Sequence, residues 1–300
     1  MTFLLRLCLT ISVILGVIQP AHATMGNHEM IVGNGAYDRT VVRWEEAVQS
    51  VNPDGHDITW IGALSGNGTH DRKHRGGSRN TIIYSPNPMS IGTSPVDIIF
   101  FFHGLRGFGS RDFRIRILPR VHQLSKSGHN FLLVIPEMPW SQNTRTPTRR
   151  QSKAWAGDSG ENIVTFYRSL RCVLATHFFD ANTSLGKVIM VGHSAGGAAI
   201  RMAAVSGGLN VIKPNRLVFS DAGYGTWTSQ TWKHFVAGHP ETQWVILVRK
   251  WDTPYQNTVR FLKWLKRTPG NIMYRVYSRR THTHTMIGDE SLLWSYPKGR

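Results

Sequence analysis

The stretch Gly192-His193-Ser194-Ala195-Gly196 sets a serine between two glycines, each two positions away. A serine hydroxyl is a weak nucleophile. It acts only with a neighbouring base, a group that orients the base, and donors for the oxyanion that forms. A sharp turn between a strand and a helix supplies this arrangement, and its crowding admits only small residues around the serine. The flanks here read that way. Lys187-Val188-Ile189-Met190-Val191 is a buried-strand run, and Ala198 to Ala203 suits the start of a helix. Without such flanks the pattern says little, since the chain has 29 glycines. The competing reading is a glycine-rich turn that binds phosphate at a helix N-terminus.

In its strand–turn–helix context, the elbow resembles that of the α/β-hydrolase superfamily, in particular its secreted lipases and esterases. The resemblance runs from about Thr81 to the C-terminus, by the order of motifs. It implies roles for further residues. Ile98-Ile99-Phe100-Phe101-Phe102 ends in His103-Gly104-Leu105-Arg106-Gly107, as the loop that gives one oxyanion amide does. That amide would be Leu105, or else Gly104, and the second would be Ala195; His103 would then be structural. The base should follow the last strand, Ile272–Tyr277, where Thr281-His282-Thr283-His284-Thr285-Met286-Ile287-Gly288 offers two histidines. Spacing to Ile287-Gly288 and the helix start at Asp289 favours His284 over His282. For the acid, Asp221 follows Leu217–Ser220 directly, after the sixth strand, where some lipases carry it. Asp252 follows Trp244–Val248, after the seventh, the commoner place. We take Asp221 first and Asp252 second.

His282-x-His284 also has the alternation by which an extended segment chelates zinc. No His-Asp-His set completes a known pattern, and His70 and His74 sit in a basic loop. No metal or other cofactor is expected.

These residues need a scaffold. Strands are predicted at Thr81–Tyr84, Asp97–Phe102, Phe131–Ile135, Lys187–Val191, Arg216–Ser220, Trp244–Val248 and Ile272–Tyr277. Most are continuous apolar runs, as in strands of a parallel sheet covered on both faces. Helices are predicted between them. The clearest spans about Ser159 to Phe178, with a capping-box-like start at Asp158 and Glu161 and apolar residues at Ile163, Tyr167, Leu170 and Leu174. Others follow Ser194 and span Asn257–Leu265. The alternation predicts an α/β protein, a three-layer α/β/α sandwich with a mostly parallel central sheet, the α/β-hydrolase fold. Residues 24–75 read as an N-terminal extension packing on the core, with a helix near Val41–Val51, a short strand near Asp57–Leu64 and a loop over Asn67–Ser78. Residues 76–300 would form the hydrolase domain.

Arg6, the apolar stretch Leu7–Ile18 and Ala21-His22-Ala23 read as a secretory signal cut after Ala23, giving an exported protein, periplasmic or secreted. The apolar stretch is short for a membrane span, and no second long one follows. Cys8 would leave with the signal, and Cys172 reads as a buried thiol in a helix. Lys plus Arg number 35 against 18 Asp plus Glu, a formal +17, or +16 without Arg6. Such a field favours anionic partners, though it also serves solubility. No helix carries a basic stripe interleaved with aromatics, which argues against nucleic acid as the partner. The expected function is hydrolysis of a small or polymeric carboxylic ester through an acyl-serine. The alternatives are an amidase or peptidase on the same fold, or an inactive binding protein that retains it.

Overall fold

The computed structural model describes residues 29–34, 38–43, 58–63, 80–86, 95–105, 107, 113–140, 155–177 and 183–297. The expected signal at 1–23, the loop at 67–78 and Phe178 lie outside them. Strands β1 (Glu29–Asn34) and β2 (Asp38–Arg43) form an antiparallel hairpin. Eight more strands build one sheet: β3 (Ile58–Ala63), β4 (Asn80–Ser85), β5 (Val96–Phe102), β6 (Phe131–Pro136), β7 (Leu185–His193), β8 (Arg216–Ser220), β9 (Gln243–Arg249) and β10 (Ile272–Tyr277). Their order is β10-β9-β8-β7-β5-β6-β4-β3. Strands β5 to β10 run parallel, and β4 is antiparallel to both its neighbours.

The inner parallel strands are mostly apolar because both sheet faces are covered there, whereas the edge strand β10 is largely exposed between its ends. Successive side chains point to opposite faces. Ile98, Phe100, Phe102, Met190, Phe219 and Ile246 pack on one face, and Ile99, Phe101, Val191, Val218 and Leu247 on the other. Each fully buried Phe or Leu contributes about 1.5–3 kcal/mol relative to exposure. The helices are α1 (Leu118–Ser125), α2 (Glu161–His177), α3 (Gly197–Val205), α4 (Gly208–Ile212), α5 (Trp227–His234), α6 (Thr253–Trp264) and α7 (His284–Glu290). Residues of α2 to α6 cover the first face. Leu118, Val121 and Leu124 of α1, with Ile287, Leu292 and Trp294 near the C-terminus, cover the second. Helix α2 starts where the Glu161 carboxylate accepts the amides of Asp158 (3.1 Å) and Ser159 (2.8 Å). This ties off two backbone donors just ahead of the helix. Cys172 lies on this helix.

One expectation is corrected. The helix near Val41–Val51 is strand β2 as far as Arg43, paired residue by residue with β1; residues 44–51 lie outside the described residues. The β-branched run Thr40-Val41-Val42 favours a strand, and Asn34-Gly35 is a hairpin signal. Strand β3, from the stretch expected as an extension, is the outermost strand of the main sheet, antiparallel to β4.

After β5 the chain moves to one side to form β6. After β7, on the other flank of β5, it moves away to form β8. This reversal opens a crevice at the C-terminal ends of β5 and β7, where ligands of open α/β sheets bind.

Candidate active site

Strand β7 ends at His193, a single 3-10 turn spans Ser194–Gly196, and α3 begins at Gly197. Ser194 has φ +52°, in the left-handed region that costs a residue with a Cβ about 1–2 kcal/mol. The surrounding packing holds it there. A Cβ at Gly192 would lie 2.9 Å from the Gly196 carbonyl carbon, and one at Gly196 would lie 1.9 Å from the Phe102 carbonyl oxygen. One at Gly197 would meet Ala222 at 2.7 Å. The glycines let the turn sit directly against β5 and the end of β8.

The His103-Gly104-Leu105 loop leaves β5 beside this turn. A Cβ on Gly104 would stand 3.1 Å from the Ser194 Cβ. His103 is buried; its Nδ1–H donates to Gly104 O at 2.6 Å, and its Nε2 accepts the Met138 amide at 2.9 Å. This fixes the tautomer and engages both ring nitrogens with backbone. Gly107 N–H also donates to Gly104 O (3.3 Å), and the Trp140 indole donates to His103 O (3.3 Å). His103 thus shapes the loop.

At the end of β8, Asp221 is fully buried with φ +47°. Its Oδ2 accepts His284 Nδ1–H at 2.6 Å, and its Oδ1 accepts the Arg249 amide at 3.2 Å. Its own N–H donates to Leu247 O at 2.7 Å. His284 opens α7, capped by the Thr283 hydroxyl, which accepts the Met286 amide. With Nδ1–H on a carboxylate, His284 Nε2 is the nitrogen left to accept a proton.

His193, unassigned by sequence, ties α7 to the elbow. It is buried, and its Nε2–H donates to His284 O at 3.1 Å. The two rings lie 4.6 Å apart. Burial first, and His284 second, push the His193 imidazole well below its ordinary pKa, so it stays neutral. A Cβ on Gly288 would strike the His193 ring at 2.6 Å, and the Ser220 hydroxyl donates to Ile287 O at 2.8 Å. The signal was present: a polar side chain ending an apolar strand must find a partner once buried. Tyr224, on the segment after Asp221, packs edge to face on Trp227 with ring centroids 5.4 Å apart, and burial raises the pKa of its phenol.

The alternatives lie elsewhere. The Asp252 carboxylate meets Arg249 Nε at 2.5 Å and Arg279 Nε at 3.5 Å. It precedes α6 without a side-chain capping bond. His282 contacts the Thr281 hydroxyl (2.8 Å) and Glu290 (3.4 Å), with its ring against Tyr277. Among the described residues no three His, Cys, Asp or Glu groups cluster as a metal site, and no helix is long and apolar enough to cross a membrane.

No protein-family model and no curated protein matches the chain. Solved structures do. An IroE-like serine hydrolase from Shewanella oneidensis is 14% identical with a TM-score of 0.50, over 79% of this chain and 78% of that one. Fluorophosphonate-binding serine hydrolase F of Staphylococcus aureus is 15% identical with a TM-score of 0.50, over 80% and 97%. A mutant feruloyl esterase module from Clostridium thermocellum, complexed with sinapinate, is 13% identical with a TM-score of 0.53, over 80% and 88%. Strand order, the turn after β7 and these likenesses agree: the chain has the α/β-hydrolase fold.

Proposed function

We propose that this protein is an exported serine hydrolase that cleaves a carboxylic ester through an acyl-serine intermediate. The observation that carries the reading is the 2.6 Å bond between His284 Nδ1 and the buried Asp221, on an imidazole tied to the elbow of the strained Ser194. Ser194 Oγ attacks the ester carbonyl, and His284 Nε2 takes its proton while Asp221 holds the ring. The proton passes to the leaving alkoxide, and water repeats the cycle to release the acid. The amides of Ala195 and of Leu105 or Gly104 receive the oxyanion. Support for Leu105 comes from the Gly104 carbonyl, anchored by His103 and Gly107. In a trans peptide the Leu105 N–H points the opposite way from that carbonyl. The serine hydrolases and the esterase among the structural neighbours support the same reaction class.

The test is a tagged fluorophosphonate. Wild type should be labelled and Ser194→Ala should not; correctly folded wild type that resists labelling would sink the proposal. Export is tested by a C-terminal reporter fusion, which should appear outside the cytoplasm with cleavage after Ala23; a reporter kept inside and uncut would refute export.

The +17 charge and the rim of the site support an anionic ester as substrate. Lys250, Arg279 and Arg280 are exposed on the turns that follow β9 and β10. Trp251 stands among them, 62% exposed, with φ +72° and Lys250 Nζ 4.9 Å from its ring centroid. Backbone strain at an exposed side chain gives little to folding and points to a function of the ring. Turnover of acidic esters should fall with added salt, and turnover of neutral esters should not; equal salt dependence would remove the anionic preference.

A further inference from the structure

One edge of the sheet concentrates the chain's charge. Strand β10 is outermost there, and among the described residues it pairs only with β9. From Arg249 to His284 the chain has nine Lys and Arg against a single acid, Asp252, so these 36 residues hold eight of the formal +17. Every one of these cations except Arg249 is exposed.

The fold spreads them along the edge from end to end. Strands β9 and β10 are parallel, so α6 between them runs the other way. It lies on β9 through Phe261 and Trp244, whose ring centroids are 5.7 Å apart. The C-terminal end of α6 therefore places Lys263, Lys266 and Arg267 near the start of β10. Arg275 is exposed midway along the strand, and Lys250, Arg279 and Arg280 follow at its far end. Six residues of strand span about 20 Å.

Apolar groups stand out among the cations. Trp264 is 64% exposed and Trp251 62%, with Met273 and Val276 of β10 at 46% and 40%. Backbone strain marks the same edge. Lys266 has φ +58° directly after the C-cap of α6, where glycine is the usual residue, and Trp251 has φ +72°. Glycine would suit the backbone better at both positions, so the charge and the ring serve something outside the fold.

The chemistry of the edge selects its occupant. A second copy paired along β10 would set like cations against each other, because a twofold contact matches a surface with itself. A phosphate polymer would use the cations and gain little from Met273 and Val276. An anionic lipid surface uses both: its headgroups draw Lys and Arg, and its interface takes Trp and aliphatic side chains.

We propose that the β10 edge, from Lys266 and Arg267 to Lys250 and Arg280, docks the protein on an anionic phospholipid surface. Arg249, whose amide holds Asp221, opens the same segment, so the docked edge adjoins the site. The docking does not depend on the reaction proposed above.

The experiment mixes the full chain with phosphatidylcholine vesicles containing about 30% phosphatidylglycerol and reads bound protein by sedimentation. Wild type should bind these vesicles, more weakly as salt is added, and should not bind pure phosphatidylcholine. Combining Lys263→Gln, Lys266→Gln and Arg267→Gln should weaken binding by about 100-fold, at about fivefold for each cation near an anionic surface. Trp264→Ser should weaken it by about fivefold or more. The control combines Lys126→Gln, Lys213→Gln and Lys233→Gln, which remove the same charge from exposed positions on other elements. It should change binding by less than about threefold. No binding to the anionic vesicles, equal binding to neutral ones, or equal weakening by the two triple variants overturns the proposal. Duplex DNA that displaces the vesicles at a lower phosphate concentration than the lipid supplies would assign the edge to nucleic acid and overturn it too. Urea midpoints check that each variant folds. If the first triple variant does not, Arg267→Gln and Trp264→Ser alone carry the test, and binding equal to wild type in both overturns the proposal.

Discussion

Replacing Asp221 with Asn changes one atom, and the structure says which way the new amide must turn. The Arg249 N–H reaches Oδ1 at 3.2 Å and needs an acceptor there. If the NH2 group faced Arg249, two buried donors would oppose each other, and each unmade bond costs about 1–3 kcal/mol. The amide oxygen therefore stays at Arg249 and the NH2 faces His284. His284 Nδ1, 2.6 Å away, must then accept rather than donate, so the ring proton moves to Nε2. An imidazole with Nε2–H cannot take a proton from Ser194. For Asp221→Asn we expect kcat/KM to fall by about 10³–10⁴-fold, the effect of a wrong tautomer in an otherwise intact site. The assay is hydrolysis of p-nitrophenyl acetate with the rate of fluorophosphonate labelling beside it. Asp252→Asn is the control. Its carboxylate contacts Arg249 Nε and Arg279 Nε, and its loss should change kcat/KM by less than about fivefold. If Asp252→Asn is the more damaging of the two, or Asp221→Asn keeps more than about a tenth of the activity, the reasoning is wrong.

His193 makes stability depend on pH. Its imidazole is neutral when folded and titrates near about 6.5 when unfolded. Below that value the unfolded chain gains a proton that the folded chain refuses, so stability falls as pH drops and is unaffected above it. Urea midpoints from about pH 8 down to pH 5 should show this slope, and His193→Gln should flatten it; parallel slopes would refute the assignment. Gly196→Ala puts a Cβ 1.9 Å from a carbonyl oxygen of β5, which cannot retreat without leaving the sheet. It should lower stability by about 1–3 kcal/mol or more and abolish labelling, and a wild-type urea curve would count against the packing described. Trp251→Gly removes a left-handed strain and a ring that is 62% exposed. Its stability should stay within about 1 kcal/mol of wild type, and a larger loss in calorimetry would show that the ring serves the fold.

The sequence was most legible where burial is symmetrical. Both faces are covered at β8, so Arg216–Ser220 stands out as a run and matches it end to end; Ile272–Tyr277 also matches the edge strand β10 end to end, although only its two end residues are buried. Ends were less legible. Helix α6 starts at Thr253 rather than Asn257, because Pro254 in the first turn reads as a break although it suits that position. The N-terminal hairpin was missed where apolar spacing outweighed β-branching. In the site, the elbow was legible because its glycines are demanded by contacts within a few residues and with β5. Asp221 is taken ahead of Asp252, but their spacing does not separate them, since both follow strands. What distinguishes them is Arg249, whose backbone N–H goes to one and whose side chain goes to the other. His193 was illegible as a partner because its contact with His284 depends on which distant elements abut.

The bonds from His193 to His284 O and from Ser220 to Ile287 O mean that the candidate base is clamped from beneath by residues made some 60 to 90 positions earlier. A chain synthesised as far as Tyr277 holds the proposed nucleophile and acid but not the proposed base. On the proposed triad, catalytic competence requires α7 to be docked on the ends of β7 and β8. Under the proposed export, an unfolded chain would stay chemically silent in the compartment where it is made, and become reactive only after the histidine has passed through and settled.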